Sequence, residues 1–232
     1  MVLRGCWRWH ECLQWIANRY KSCWRRRKLG GFRLKILRSE NLWVRSVGVW
    51  LVGMAILFIA WTLSFRSLPE GIVQGSFVIQ YIPLETEEVF ATFVRIFLWN
   101  LAVGCVPIVV ANIVQIKGFS LGYILAFYHW AMYGVLLGTN SFKIPGLDRI
   151  FPSLVTLFSG SGIYEITAYT LISSATYGFY LLDEKGLIGK KVVKTKKWGA
   201  LKLSKDKLGF IIFAVLLLAI SNYFEAWNAF PR

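Results

Sequence analysis

The chain has 232 residues, 56% of them hydrophobic, a mean hydropathy of +0.52 and a formal net charge of +15. A soluble domain of this length does not carry several apolar runs of about 20 residues, so the composition excludes one and points to transmembrane helices. The length suits one membrane domain with about five spans and short loops.

The charge is unevenly spread. Residues 1–45 hold twelve Lys/Arg against Glu11 and Glu40, and residues 183–207 hold nine Lys against three acids. Residues 66–88 hold Arg66 against Glu70, Glu85, Glu87 and Glu88. Lys/Arg-rich segments beside spans stay in the cytoplasm. Both basic segments are therefore expected inside and the acidic loop outside.

In chain order, residues 1–45 form a basic, Trp/Arg-rich juxtamembrane segment on the cytoplasmic side, and 46–232 form the transmembrane domain. Leu13, Ile16, Tyr20 and Trp24 share one face of a predicted amphipathic helix. Such cationic helices lie in the headgroup layer with their charges on phosphates. Arg8, Arg19, Arg25, Arg26, Arg27 and Lys28 are the expected contacts with anionic membrane lipids. No motif supports specific nucleic-acid binding by the same patch. The first 45 residues show no cleavable signal peptide.

The first span is predicted at 46–65. An outer loop follows, whose middle, 71–83, is apolar enough to pack on the bundle. The second span, 89–114, contains Arg95, Asn100, Pro107 and Asn112, and Pro107 is expected to kink it. A tight inner turn at 115–118 leads to the third span, 119–138. That span carries Gly122, Gly134 and Gly138, small residues that let helices approach closely in lipid. A second outer loop turns at Pro145-Gly146. Residues 151–158 read as a re-entrant or interfacial piece, and 163–182 as the fourth span. The basic inner loop precedes the fifth span, 208–230, which places the C-terminus outside.

Three ionisable residues are embedded in apolar runs: Arg95, Glu165 and Glu225. Charges in hydrocarbon are costly, so they usually face the protein interior and have partners. Counting about 1.5 Å per residue from the span ends puts all three in the outer third of the membrane. They are expected to meet, as a buried ion pair that fixes helix register or as a polar step in a pathway.

No catalytic constellation is visible. There is no His-Glu-x-x-His and no Gly-x-Ser-x-Gly, and Ser161 between two glycines has no base at a definable spacing. His129 reads as a core hydrogen-bonding residue. Cys6, His10, Cys12 and Cys23 fit no standard zinc spacing, so no metal or other cofactor is expected. Disulfides are not expected either, since Cys6, Cys12 and Cys23 lie in the cytoplasmic segment and Cys105 in a span.

Four stretches occur in a telling order: Phe97-Leu98-Trp99-Asn100-Leu101-Ala102-Val103; Tyr133-Gly134-Val135-Leu136-Leu137-Gly138; Gly160-Ser161-Gly162-Ile163-Tyr164-Glu165-Ile166-Thr167-Ala168; and Tyr223-Phe224-Glu225-Ala226. Over residues 89–231 this order resembles that of the stage II sporulation protein M family, which are small multi-span membrane proteins. The matching positions are Asn100, Gly134, Gly138, Gly162, Glu165, Ala168, Gly178 and Glu225, with Pro231 following. Tyr133 stands where the family has Asn, and Gly160-Ser161 replaces its Pro-His. With the His gone and both carboxylates kept, the resemblance implies a structural or conformational role for Glu165 and Glu225. It also implies membrane remodelling within a larger complex.

The expected fold is thus an all-α polytopic membrane bundle in the cell membrane, with five spans, a re-entrant or interfacial segment and a basic N-terminal helix. The N-terminus is expected in the cytoplasm and the C-terminus outside. The expected function is a non-enzymatic scaffold or membrane-remodelling component, partnered by lipids and by other membrane proteins or by a second copy. The alternative is a transporter or permease subunit with its polar site at Arg95, Glu165 and Glu225.

Overall fold

Four helices are long and apolar enough to cross a membrane: α1 (Leu42–Ser67), a continuous run from Val89 to Ala111, α4 (Leu121–Gly138) and α7 (Lys205–Ala229). The computed structural model describes residues 35–74, 88–116, 118–142, 149–184, 192–194 and 203–230. Ile36–Arg232 forms one compact unit. The basic N-terminal segment expected to be helical, with Arg8, Arg19, Arg25, Arg26, Arg27 and Lys28, lies outside the described residues. So do the middle of the first outer loop, the Pro145-Gly146 turn and most of the inner loop.

Asn41 caps α1, its side chain accepting from the backbone N–H of Trp43 and Val44. The 89–111 run comprises α2 (Val89–Trp99), a π-helical segment (Asn100–Cys105) and α3 (Val106–Ala111). Pro107 explains the π segment. Proline has no N–H and its ring crowds the carbonyl four residues back. The ladder ahead of it widens, and Val106 N–H bonds to Leu101 O, five residues back. The kink expected at Pro107 takes this form.

The turn after α3 is a short hairpin, β1 (Val114–Ile116) and β2 (Phe119–Ser120), closed by Gly118 at φ +75°, a conformation suited to glycine. A short helix α5 (Leu154–Ser159) precedes α6 (Gly162–Thr176) and a 3-10 turn at Tyr177–Phe179. Then come β3 (Leu182–Glu184) and β4 (Val192–Lys194). The strands form a small sheet in the order β2-β1-β3-β4, with β1 and β3 parallel and the other pairs antiparallel. The described residues are mostly helical, but this sheet departs from the all-α expectation. The alternation Val-Gln-Ile in a three-residue strand is too short to stand out from a turn.

The fourth span also differs. Helix α6 ends at Thr176, six residues before the expected boundary, and it is not among the four long apolar helices. Its surroundings account for this. From Ala168 to Thr176 every residue but Leu171 is buried, so α6 is wrapped by protein and can carry Thr and Ser where a lipid-facing helix would need Leu and Val.

Contacts at the helix ends show that α1, α4 and α7 point one way and α6 the other. The start of α1 meets the start of α7 through Trp43 and Phe210, with rings 4.5 Å apart. The ends of α1 and α4 meet through Gly71 N–H and Thr139 O at 2.7 Å. The start of α6 meets the end of α7 through Ser221 Oγ and Ser161 O at 2.8 Å.

Helices α1 and α4 pack most extensively. A Cβ on Gly134 would stand 2.5 Å from Leu57 O and 3.0 Å from Trp61 N, so only glycine admits this approach. Among the described residues both buried indoles are partnered, Trp61 Nε1 donating to Ile150 O and Trp130 Nε1 to Thr170 Oγ1, and the half-buried Trp50 Nε1 donates to Thr167 Oγ1. Outward faces carry apolar ridges, such as Leu51, Ile59 and Leu63 on α1 and Ile212, Leu216 and Ile220 on α7. A soluble monomer rarely exposes such ridges.

Candidate functional site

The π segment widens the helix where α7 lies alongside, and Asn100 Nδ2 donates to Asn222 Oδ1 at 3.1 Å. On α7, Ser221, Asn222 and Glu225 recur at three- and four-residue spacing, so they share the face turned to α6 and the π segment. Glu165, in the first turn of α6, lies next to Glu225 of α7, close enough for the two carboxyl groups to interact directly. Glu165 Oε1 and Asn222 Nδ2 are enclosed and have no hydrogen-bond partner.

Aromatic and small residues build the walls. Gly162 admits the Tyr133 ring, its notional Cβ lying 2.6 Å from Tyr133 Oη, and Gly104 in the π segment admits the Tyr169 ring in the same way. Tyr133, Tyr169 and Cys105 all lie within electrostatic reach of Glu165. His129 packs at a tilt of 60° against Tyr169, with centroids 4.9 Å apart, and its Nδ1 bonds to Leu125 O at 2.7 Å. That bond fits the core role expected of His129.

Arg95 does not join this cluster. It lies exposed on α2, whose buried positions are Thr92 and Ile96, and among the described residues it forms no ion pair with Glu165 or Glu225. Counting residues from span ends gives height along an axis and says nothing of direction around it. The two carboxyl groups meet each other without the cation.

The other positions singled out by the family resemblance serve packing. Gly134 and Gly138 abut the α1 backbone, Ala168 is fully buried, and Gly178 lies beside the Lys207 ammonium. Sequence reasoning missed Asn222, Ser221 and Tyr169. A signal existed for the first two: adjacent polar residues in an apolar span, one turn before Glu225.

No family model matches the chain, and neither the curated proteins nor the solved structures include a match. The arrangement itself sets the chemistry available. Among the described residues no group of three or more His, Cys, Asp or Glu side chains gathers as a metal set. What the cluster offers is a pair of adjoining carboxyl groups, with one enclosed acceptor and one amide donor left over.

Proposed function

We infer that this chain is an integral membrane protein of five spans that acts as a non-enzymatic scaffold or membrane-remodelling component of a larger membrane complex, in the manner of the stage II sporulation protein M family it resembles. The supporting observation is the use made of the shared motif positions. Asn100, Gly134, Gly138, Gly162, Glu165 and Glu225 all join one helix to another. They hold α1, the π segment, α4, α6 and α7 in one register.

The count of five rests on α6. Its 15 residues rise about 22 Å, and the 3-10 turn adds about 6 Å. Together these approach the hydrocarbon thickness of about 30 Å. The short helix α5 buries Leu157 while exposing Leu154, Val155 and Phe158, which favours an interfacial seat over a re-entrant one. The basic residues 1–45 would face anionic lipid on the cytoplasmic side, with the C-terminus outside.

A specific observation also favours the transporter reading. Glu165 Oε1 is an enclosed acceptor without a partner, as a site for a transient proton or cation would have. Reconstitution separates the two. The full chain in vesicles of anionic phospholipid is expected to alter vesicle curvature without passing protons or cations, and Glu165→Gln is expected to leave the curvature effect in place. Unchanged vesicles, together with an ion flux that Glu165→Gln abolishes, would replace the scaffold by a carrier.

A further inference from the structure

A second buried charge lies at the opposite end of the bundle. Arg45 sits one turn into α1, only 5% exposed. Its Nη1 donates to Ser39 O at 2.6 Å and its Nη2 to Ser174 O at 3.0 Å, and the guanidinium stands 5.1 Å from the Tyr177 ring centre. Both oxygen partners are neutral carbonyls. Nε is buried and has no partner. Among the described residues no carboxylate pairs with this cation.

Its position makes the cation more costly still. A helix N-terminus carries a partial positive charge, and the first turn of α1 has no acid to offset it. A buried, unpaired guanidinium at the positive end of a helix is strongly unfavourable unless an anion from elsewhere completes it.

A cleft opens beside it. Its volume is about 730 Å³, and Arg45, Lys207 and the capping residues of two helices, Asn41 of α1 and Ser204 of α7, contribute to its lining. Two helix N-termini therefore converge on the space that Arg45 and Lys207 border, a setting suited to phosphate oxygens. Trp43, Phe210 and Phe213 form the apolar side. Trp43 and Phe213 are exposed, at 66% and 56%. Glu40 and Asp206 also line the cleft, but both are exposed, so water screens them as it does not screen Arg45.

We propose that this cleft binds the phosphodiester headgroup of a membrane phospholipid, with the phosphate on Arg45 and Lys207 and an acyl chain along Trp43 and Phe213. A lipid is favoured over a free anion because the charged and aromatic walls adjoin at the start of two helices of membrane-crossing length. The exposed acids would weaken a doubly charged phosphate more than a singly charged diester. This binding stands whether the bundle remodels membranes or carries ions.

The test uses the purified full chain in detergent, with native mass spectrometry and thermal unfolding as readouts. The probes are dioleoylphosphatidylglycerol, dioleoylglycerol, sn-glycerol 3-phosphate and inorganic phosphate. The expected result is that the phospholipid alone is retained and raises Tm. Lys207→Gln and Arg45→Gln should each weaken retention about tenfold, as loss of a charge-assisted hydrogen bond requires. If Arg45→Gln does not fold, Lys207→Gln decides. Equal retention in wild type and Lys207→Gln overturns the proposal, and so does equal stabilisation by inorganic phosphate or by dioleoylglycerol.

Discussion

Two glycine-to-alanine substitutions in the same chain should change stability in opposite directions. At Gly134 the new methyl carbon would fall 2.5 Å from Leu57 O and 3.0 Å from Trp61 N. Both are backbone atoms of α1, so neither can rotate away, and the two helices must part along their whole interface. Overpacking of this kind costs up to about 3 kcal/mol, while replacing a mid-helix glycine by alanine returns about 1 kcal/mol. The net loss is about 2 kcal/mol. A chain of this size loses about 2–4 °C in Tm per kcal/mol, so Gly134→Ala should unfold about 4–8 °C lower. At Gly209, on exposed α7, nothing lies within 4 Å of the added carbon. There only the helix term acts, and Gly209→Ala should raise Tm by about 2–4 °C. Thermal unfolding of both variants in one detergent provides the comparison. A Gly134→Ala variant as stable as the parent would refute the claim that α1 and α4 touch backbone to side-chain-free backbone.

Four further substitutions probe the charged and polar side chains. Glu225→Ala leaves the enclosed Glu165 without its neighbouring carboxyl and should cost about 1–3 kcal/mol. Combined with Glu165→Ala, the total should fall short of the sum by about 0.5–3 kcal/mol in a denaturant cycle, and strict additivity would mean the two carboxyls do not touch. Arg95→Gln should change stability by no more than about 0.5 kcal/mol, because the side chain is exposed and pairs with neither carboxyl; a loss of several kcal/mol would return Arg95 to the cluster. Trp61→Phe removes the indole N–H that bonds to Ile150 O and should cost about 1–3 kcal/mol in the same unfolding assay, whereas no change would mean water takes its place.

Much of this bundle is written in simple patterns. The four long apolar runs emerge as helices, with ends shifted by a few residues where a cap such as Asn41 or Ser204 decides the start. The partnership of Glu165 with Glu225 follows from the cost of burying each alone. Three features escape such reading. The azimuth of Arg95 depends on how α2 leans on its neighbours, which residue counting does not contain. The π segment needs Pro107 read together with the carbonyls four and five residues before it. Arg45 sits in a basic stretch of sequence, where nothing marks it as the cation that ends up enclosed while Arg38 and Arg66 remain exposed.

The most direct test of the account is where the two ends of the bundle lie. Four long helices alone would return the chain to the side it started from. On the proposed count, a fifth crossing by the short, protein-wrapped α6 would put the ends on opposite faces. In a background lacking the native cysteines, Glu40→Cys and Asn228→Cys are to be labelled in intact cells with a membrane-impermeant maleimide. The account predicts reaction at residue 228 from outside and at residue 40 only after the membrane is opened. Equal labelling of both positions from the same side would contradict it.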